Sequence, residues 1–568
     1  MEPLPQKILV ISTKHKDEIQ LCGELLFKQL GLLWKIPVDI AYAETIDEDK
    51  LWENGHPKYC MVAFTALNSG NPMPIDAHQW TIIEKYGKIV PLLAFYKAAK
   101  TKHYIDKIWG VKQVSNINIK SGKLIVYNDE YTNNVPHTMQ IERVNKYFLK
   151  IDVTDKPTIL ATIGKHLPVV VKNGLNVYFA IHPWQFGIIS FRPFFKMLEN
   201  IIFLTTKMAH FAPGDYASIR IDDMPYTTYH FIKYGMRKDR HALSRIKLIQ
   251  KVAHQHGVKI EYMITSHFWD KKRKVTIDRK FPKTIEYMKS LYAKKLININ
   301  AHGNIHFNVA QYFRSYKAYP TEYIGLDIMR TEKLLTETIH TIKSIFNKTP
   351  KGFVAPAYGH EPDVTKVVAA KYFDYIIDSN YNLRNGNCEL FGYYQQYISM
   401  PETWEFPISD INYYDINVWK AYLDVGLPIH IMQHDAFYSR NFLTRVLYSV
   451  ARYLSMPQIL YKLRTDVNLA KIILTGTKVG VKWIFLEDLA HHMRQYFLMS
   501  IREVKKETAS ITYVLQVPES FKLPFQVITP YLIKEAKIDG KKLSIMRSKV
   551  LIPPLKAGIH SLYLNYIY

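Results

Sequence analysis

Between residues 213 and 500 short apolar runs recur between longer stretches of helical periodicity, and this alternation constrains the fold more than any other feature. The runs cover residues 217–221, 259–264, 296–300, 352–355, 375–377, 398–400 and 429–432. Helical patterns over 241–255, 283–293, 329–346 and 364–372 fall between them. A strand buried on both faces reads as a near-continuous apolar run, and parallel neighbours need a crossover connection, usually a helix. Six or more such units in series predict an α/β fold built on a parallel, distorted β/α barrel.

The chain has 568 residues, too many for one ordinary core at roughly 150 residues per domain. Residues 1–105 alternate strand and helix patterns (strands at 8–11, 59–64 and 89–95, helices at 17–30 and 80–86) and read as an α/β accessory domain. Residues 106–212 turn to short alternating strands, at 123–127, 169–171 and 175–181, and close with a helix over 193–205. Residues 213–500 hold the barrel, and 505–568 read as a small β module in which Asp539-Gly540 is a hairpin turn signal. No Gly-rich phosphate fingerprint follows the first strand, so nucleotide binding has no support there.

Lys and Arg outnumber Asp and Glu by 75 to 50, a formal charge of +25 that favours a polyanionic surface or polymer as partner. No nucleic-acid-binding motif accompanies the charge, so nucleic acid is not the expected partner. The basic run Lys271-Lys-Arg-Lys274, with Arg279, Lys280 and Lys283, is dense enough for a contact loop, although such runs are more often solvated faces. Cys22, Cys60 and Cys388 are too few and too scattered for a disulfide framework or a zinc finger. The start of the chain carries no cleavable-signal pattern, and the apolar stretch 187–206 is interrupted by Arg192, Lys196 and Glu199. A cytoplasmic protein is the default expectation. That stretch leaves peripheral membrane contact open, with a core helix preferred, and oligomeric state is not set.

In a β/α barrel the functional residues gather at the C-terminal ends of the strands. Those ends carry Asp222-Asp223 on the first strand, His302-Gly-Asn-Ile-His306 on the third and Pro356-Ala-Tyr-Gly359 on the fourth. The fifth ends in Asp378 and the seventh in Gln433-His434-Asp435. Adjacent carboxylates at the edge of a core repel unless a cation or strong donors compensate. An i, i+4 histidine pair places both imidazoles on one side of a helical turn. With one carboxylate it makes a His₂Asp set that leaves coordination positions for water and substrate, as catalytic metals require. His267, at the end of the second strand, is expected to be ordinary, and His430, inside the seventh, to be core packing.

Taken in order, these segments resemble the motifs of the polysaccharide deacetylase family (NodB-type, carbohydrate esterase family 4), over residues 213–440. The resemblance implies a distorted (β/α)7 barrel and removal of N-acetyl groups from amino sugars of a glycan. It also implies a divalent metal, Zn²⁺ first with Co²⁺ or Ni²⁺ as alternatives, held by Asp223, His302 and His306. Asp222 would be the catalytic base and His434 the general acid. The backbone N–H of Tyr358 would bind the oxyanion, and Asp378 would loosely match the residue that orients the acid. One departure matters, because the family's arginine partner of the base is replaced by Ala355. Arg220 is a candidate substitute, and His360 a further donor. Val354-Ala-Pro356 is also similar to the corresponding loop in the deacetylase part of heparan sulfate N-deacetylase/N-sulfotransferases. The expected partner is an N-acetylated glycan, and whether it is anionic is not set by the sequence. Cleavage of O-acetyl esters, or glycan binding without turnover, are the competing expectations.

Overall fold

A computed structural model describes residues 4–14, 18–64, 73–96, 102–117, 119, 121–142, 148–181, 194–225, 239–270, 273–305, 322–356, 362–378, 392–394, 397–401, 416–433, 469–546 and 548–567. The expected site residues His306, Tyr358 and His434 lie outside the described residues, as does His360. Asp378 closes its strand, and only its backbone is described.

Seven parallel strands form the centre of the molecule: Tyr216–Met224, Ile260–Ile264, Ile297–Ala301, Gly352–Val354, Tyr375–Asp378, Tyr397–Pro401 and Ile429–Gln433. Numbered along the chain, they lie side by side in the order sixth, fifth, fourth, third, second, first, seventh. That is the cyclic order of a barrel, and no pairing joins the sixth to the seventh strand among the described residues. Every residue of the first, second and third strands is buried, and each is apolar in the main, with polar side chains such as Arg220, Glu261 and Asn300 taken into the core. Helices Asp239–Gln255, Pro282–Ala293 and Ile328–Phe346 supply the crossovers after the first three strands. The helix expected over 364–372 is shorter: a wide turn, Pro362–Lys366, runs into Val367–Ala369.

Ahead of the barrel one nine-stranded sheet runs across residue 105, where the sequence suggested a boundary. Its parallel part holds Val38–Tyr42, Ile8–Ser12, Met61–Phe64 and Leu92–Phe95. Asn176–Phe179 continues it in parallel beside Leu92–Phe95, and four antiparallel strands follow. This sheet is tied to the segment before the seventh parallel strand by Trp34, whose indole Nε1 donates to Val425 O at 2.9 Å. At the C-terminus, Ser500–Lys506, Ser510–Val517, Gly558–Ile567, Leu532–Ile538 and Lys541–Lys542 make a five-stranded antiparallel sheet. Asp539 and Gly540 join Leu532–Ile538 to Lys541–Lys542 with φ of +49° and +78°, the backbone a two-residue hairpin turn requires. A second C-terminal sheet takes in His210–Ala212, which precedes the barrel and pairs with Phe525–Ile528. Among the described residues no helix is long and apolar enough to cross a membrane.

His492, on helix Leu486–Leu498, is a buried joint beneath the first strand. Its Nε2–H donates to Pro213 O at 2.7 Å, while Nδ1 is buried with no hydrogen-bond partner among the described residues. Burial holds its pKa down at about 4, against the opposing pull of the Pro213 carbonyl. The unfolded chain takes up this proton near pH 6.5 and the folded chain does not. Stability from this group is therefore complete above pH 6.5 and lost as pH falls from 6.5 toward 4. The loss amounts to about 3 kcal/mol at 1.36 kcal/mol per pKa unit. His492→Gln is expected to flatten the acid limb of urea-measured stability over that window, and an unchanged slope would refute the assignment.

Candidate active site

The first strand carries a polar stripe at alternate positions, Ser218, Arg220 and Asp222, between Ile219 and Ile221. Side chains two apart on a strand share a face, so these three project together. Arg220 Nε donates to Asp222 Oδ1 at 2.9 Å and Nη2 to Oδ2 at 3.1 Å, a two-pronged pairing. Its Nη1 lies 2.7 Å from His430 Nε2, and His430 Nδ1 lies 2.8 Å from Ser218 Oγ. A guanidinium only donates, so His430 Nε2 accepts and Nδ1–H donates to the hydroxyl. Burial, and then the Arg220 charge, press the His430 pKa well below the ordinary histidine value, in keeping with that neutral tautomer. His430 is thus not inert core packing: it is the register partner of Ser218 and ties the seventh strand to the first. Ser218, Arg220, Asp222 and His430 are all at most 1% exposed.

After Ile221 the ladder to the second strand slips, with Ile221 opposite Tyr262 but Met224 opposite Ile264. The extra residue is a bulge, and Asp223 in it has φ of +59°, a left-handed conformation that Asp tolerates better than most residues. In a regular strand Asp222 and Asp223 would point to opposite faces. The bulge breaks that alternation at the strand end. Arg245, from the helix after the first strand, faces the carbonyls of Asp222 and Asp223 at 3.5 Å each.

Asp223 meets His302, which follows the third strand: Oδ1 and Nε2 are 3.0 Å apart. His302 Nδ1 is 3.1 Å from Val354 O on the fourth strand. A carbonyl oxygen only accepts, so Nδ1 carries a hydrogen, and Nε2 is the ring atom turned to the Asp223 carboxylate. Two Lewis bases in contact are satisfied by a shared proton or a shared cation. Carboxylate oxygen plus imidazole nitrogen, the latter oriented by a backbone carbonyl, is the donor chemistry of a zinc-type site. The residues present therefore fit a divalent metal. Among the described residues no group of three candidate ligands is found, and the expected third, His306, follows directly on the last described residue of its turn.

Ala355 and Pro356 follow the fourth strand and are buried. No guanidinium arises there, and the guanidinium beside Asp222 is that of Arg220. His267 does not end the second strand, which stops at Ile264. It opens a hairpin, His267–Asp270 with Arg273–Thr276, and its Nδ1 is 2.9 Å from Ser266 Oγ. Burial and then Lys274 press its pKa down to about 4, with Glu337 opposing. Of the basic run, Arg273 and Lys274 lie on this hairpin, and Lys271 and Lys272 lie outside the described residues.

No family model and no curated protein matches the chain. Solved structures resemble parts of it. A protein of Mycobacterium smegmatis described as a polysaccharide deacetylase aligns over 52% of this chain and 96% of its own, at 16% identity and a TM-score of 0.32. A carbohydrate esterase family 4 pseudoenzyme from Bacillus anthracis aligns over 49% and 66%, at 12% identity and a TM-score of 0.25. A ThuA-like protein of Bacteroides uniformis aligns over 36% and 91%, at 14% identity and a TM-score of 0.26. At these scores the fold assignment rests on the chain's own strand order.

Proposed function

We propose that the chain is a metal-dependent hydrolase that removes N-acetyl groups from amino sugars of a glycan. The reading is carried by one observation: at one end of the parallel sheet Asp223 meets His302 while its neighbour Asp222 is paired with Arg220. The two carboxylates thus have separate partners, as separate roles of ligand and base require. Asp223, His302 and His306 would hold a divalent cation, Zn²⁺ before Co²⁺ or Ni²⁺. When bound, it would polarise the acetamide carbonyl and make water a stronger acid. Asp222 would take the proton from the attacking water, with Arg220 holding both its oxygens. The backbone N–H of Tyr358 would donate to the developing oxyanion. His434, positioned by Asp378, would return a proton to the leaving amine. The products are acetate and a free amino sugar. The +25 formal charge supports an anionic glycan as the polymer.

Arg220 also speaks against a decayed, purely binding barrel, because a guanidinium from the first strand pairs with Asp222 where Ala355 offers none. Acetate release from N-acetylglucosamine oligomers and from O-acetylated xylan, each with Zn²⁺ or Co²⁺ added, tests the reading. Release from the N-acetylated oligomers alone is expected. Release from xylan alone would convert the assignment to an ester hydrolase, and binding of oligomers without release under any metal would convert it to a lectin-like protein.

A further inference from the structure

The turn that follows His302 is held by a side chain from elsewhere in the chain. Glu322, 5% exposed, places one carboxylate oxygen on each of two consecutive backbone N–H groups. Asn304 N donates to Oε1 at 2.6 Å and Ile305 N to Oε2 at 2.8 Å. The carbonyl side of the same turn is held by the segment after the second strand. Ser266 N donates to Gly303 O at 3.2 Å and His267 N to Asn304 O at 2.7 Å. His302 N donates to Ile264 O at 2.8 Å, and the Asn304 side chain donates to Glu337 Oε2 at 3.1 Å. Each residue from His302 to Ile305 is thus fixed through its main chain.

The fit is tight as well as polar. Gly303 has φ of +88°, and a Cβ there would lie 2.2 Å from Glu322 Oε1 and 2.7 Å from Pro356 Cγ. Only glycine lets the carboxylate and the loop after the fourth strand close on the turn from two sides. Glu322 is itself anchored by its neighbour Tyr323, fully buried, whose ring meets Phe353 edge-on at 5.5 Å.

We infer that Glu322 is a positioning residue: its carboxylate sets the main-chain turn that follows His302, and with it the aim of the His302 imidazole at the cation. The inference rests on the metal-site reading above and names a residue outside the set of ligands. An ionised carboxylate accepting two N–H bonds is a strong, directional clamp. Glutamine cannot replace it, because its NH₂ group would face one of the two N–H groups. Groups that orient ligands this way commonly account for about 10- to 100-fold in metal affinity.

The test measures Zn²⁺ affinity of the full chain by competition with a chromophoric chelator. Glu322→Gln is expected to bind Zn²⁺ about 10- to 100-fold more weakly than the parent, with an unaltered circular dichroism spectrum when metal-free. Equal affinity in a parent that binds Zn²⁺ overturns the inference alone. A parent that binds no divalent cation overturns the metal-site reading and this inference with it. Amide exchange in the metal-free parent is the second arm, and it decides the matter if Glu322→Gln does not fold. Slow exchange at both Asn304 and Ile305 is the expected result, and fast exchange at both overturns the clamp.

Discussion

Asp222→Asn is expected to lower the turnover number for acetate release by about 10²- to 10⁴-fold, the usual contribution of a general base, while zinc content stays near that of the parent. Asp223→Ala is expected to lose both, since it removes one of the two candidate ligands that the fold brings into contact. The contrast follows from the bulge. With Asp223 at φ +59°, Asp222 stays in register with Arg220 while Asp223 reaches the end of the third strand. Amide for carboxylate at 222 keeps size but turns an NH₂ group toward one of the two guanidinium N–H donors, so some stability is lost along with proton uptake, and turnover is compared at a temperature where the variant is folded. Metal content by atomic emission and kcat from a coupled acetate assay read the two effects separately. If both variants lost metal equally, or if Asp222→Asn turned over at the parent rate, the division of labour between the carboxylates would be wrong.

The first three parallel strands are legible because they are buried throughout and apolar residues predominate in them. Asp222, Asp223 and His302 are legible for a related reason: a carboxylate or imidazole stands out at the end of such a run. The polar stripe Ser218, Arg220, Asp222 is also present in the sequence as strict alternation inside a strand, and its period of two marks a shared face. What it does not carry is the partner. His430 reads as core because the register that sets it beside Ser218 joins residues 212 positions apart. The parallel pairing of Asn176–Phe179 with Leu92–Phe95 is hidden for the same reason, so a composition change near 105 looks like a domain boundary where one sheet continues. Glu322 is likewise silent in sequence, since a clamp on backbone N–H groups needs no pattern around the residue that supplies it.

Arg220→Ala is expected to lower the unfolding free energy of the barrel by about 3–5 kcal/mol, the range for removing one partner of a buried ion pair. The reason is what remains behind. Asp222, 1% exposed, loses both hydrogen bonds from the guanidinium, and His430 loses the donor to Nε2. Both groups are at most 1% exposed, so solvent does not replace those bonds and the desolvation of the carboxylate loses the guanidinium's compensation. A well-packed apolar pair can be as stable as a buried ion pair, so the loss belongs to the broken pair and not to the absence of charge. That distinction gives the decisive measurement. In urea unfolding, Arg220→Met with Asp222→Asn together should be less destabilised than the sum of the two single changes. Coupled sites typically depart from additivity by about 0.5–3 kcal/mol. Strict additivity, or an Arg220→Met variant as stable as the parent, would mean that Arg220 does not compensate the Asp222 charge, and the deacetylase reading would lose its substitute for the arginine missing at Ala355.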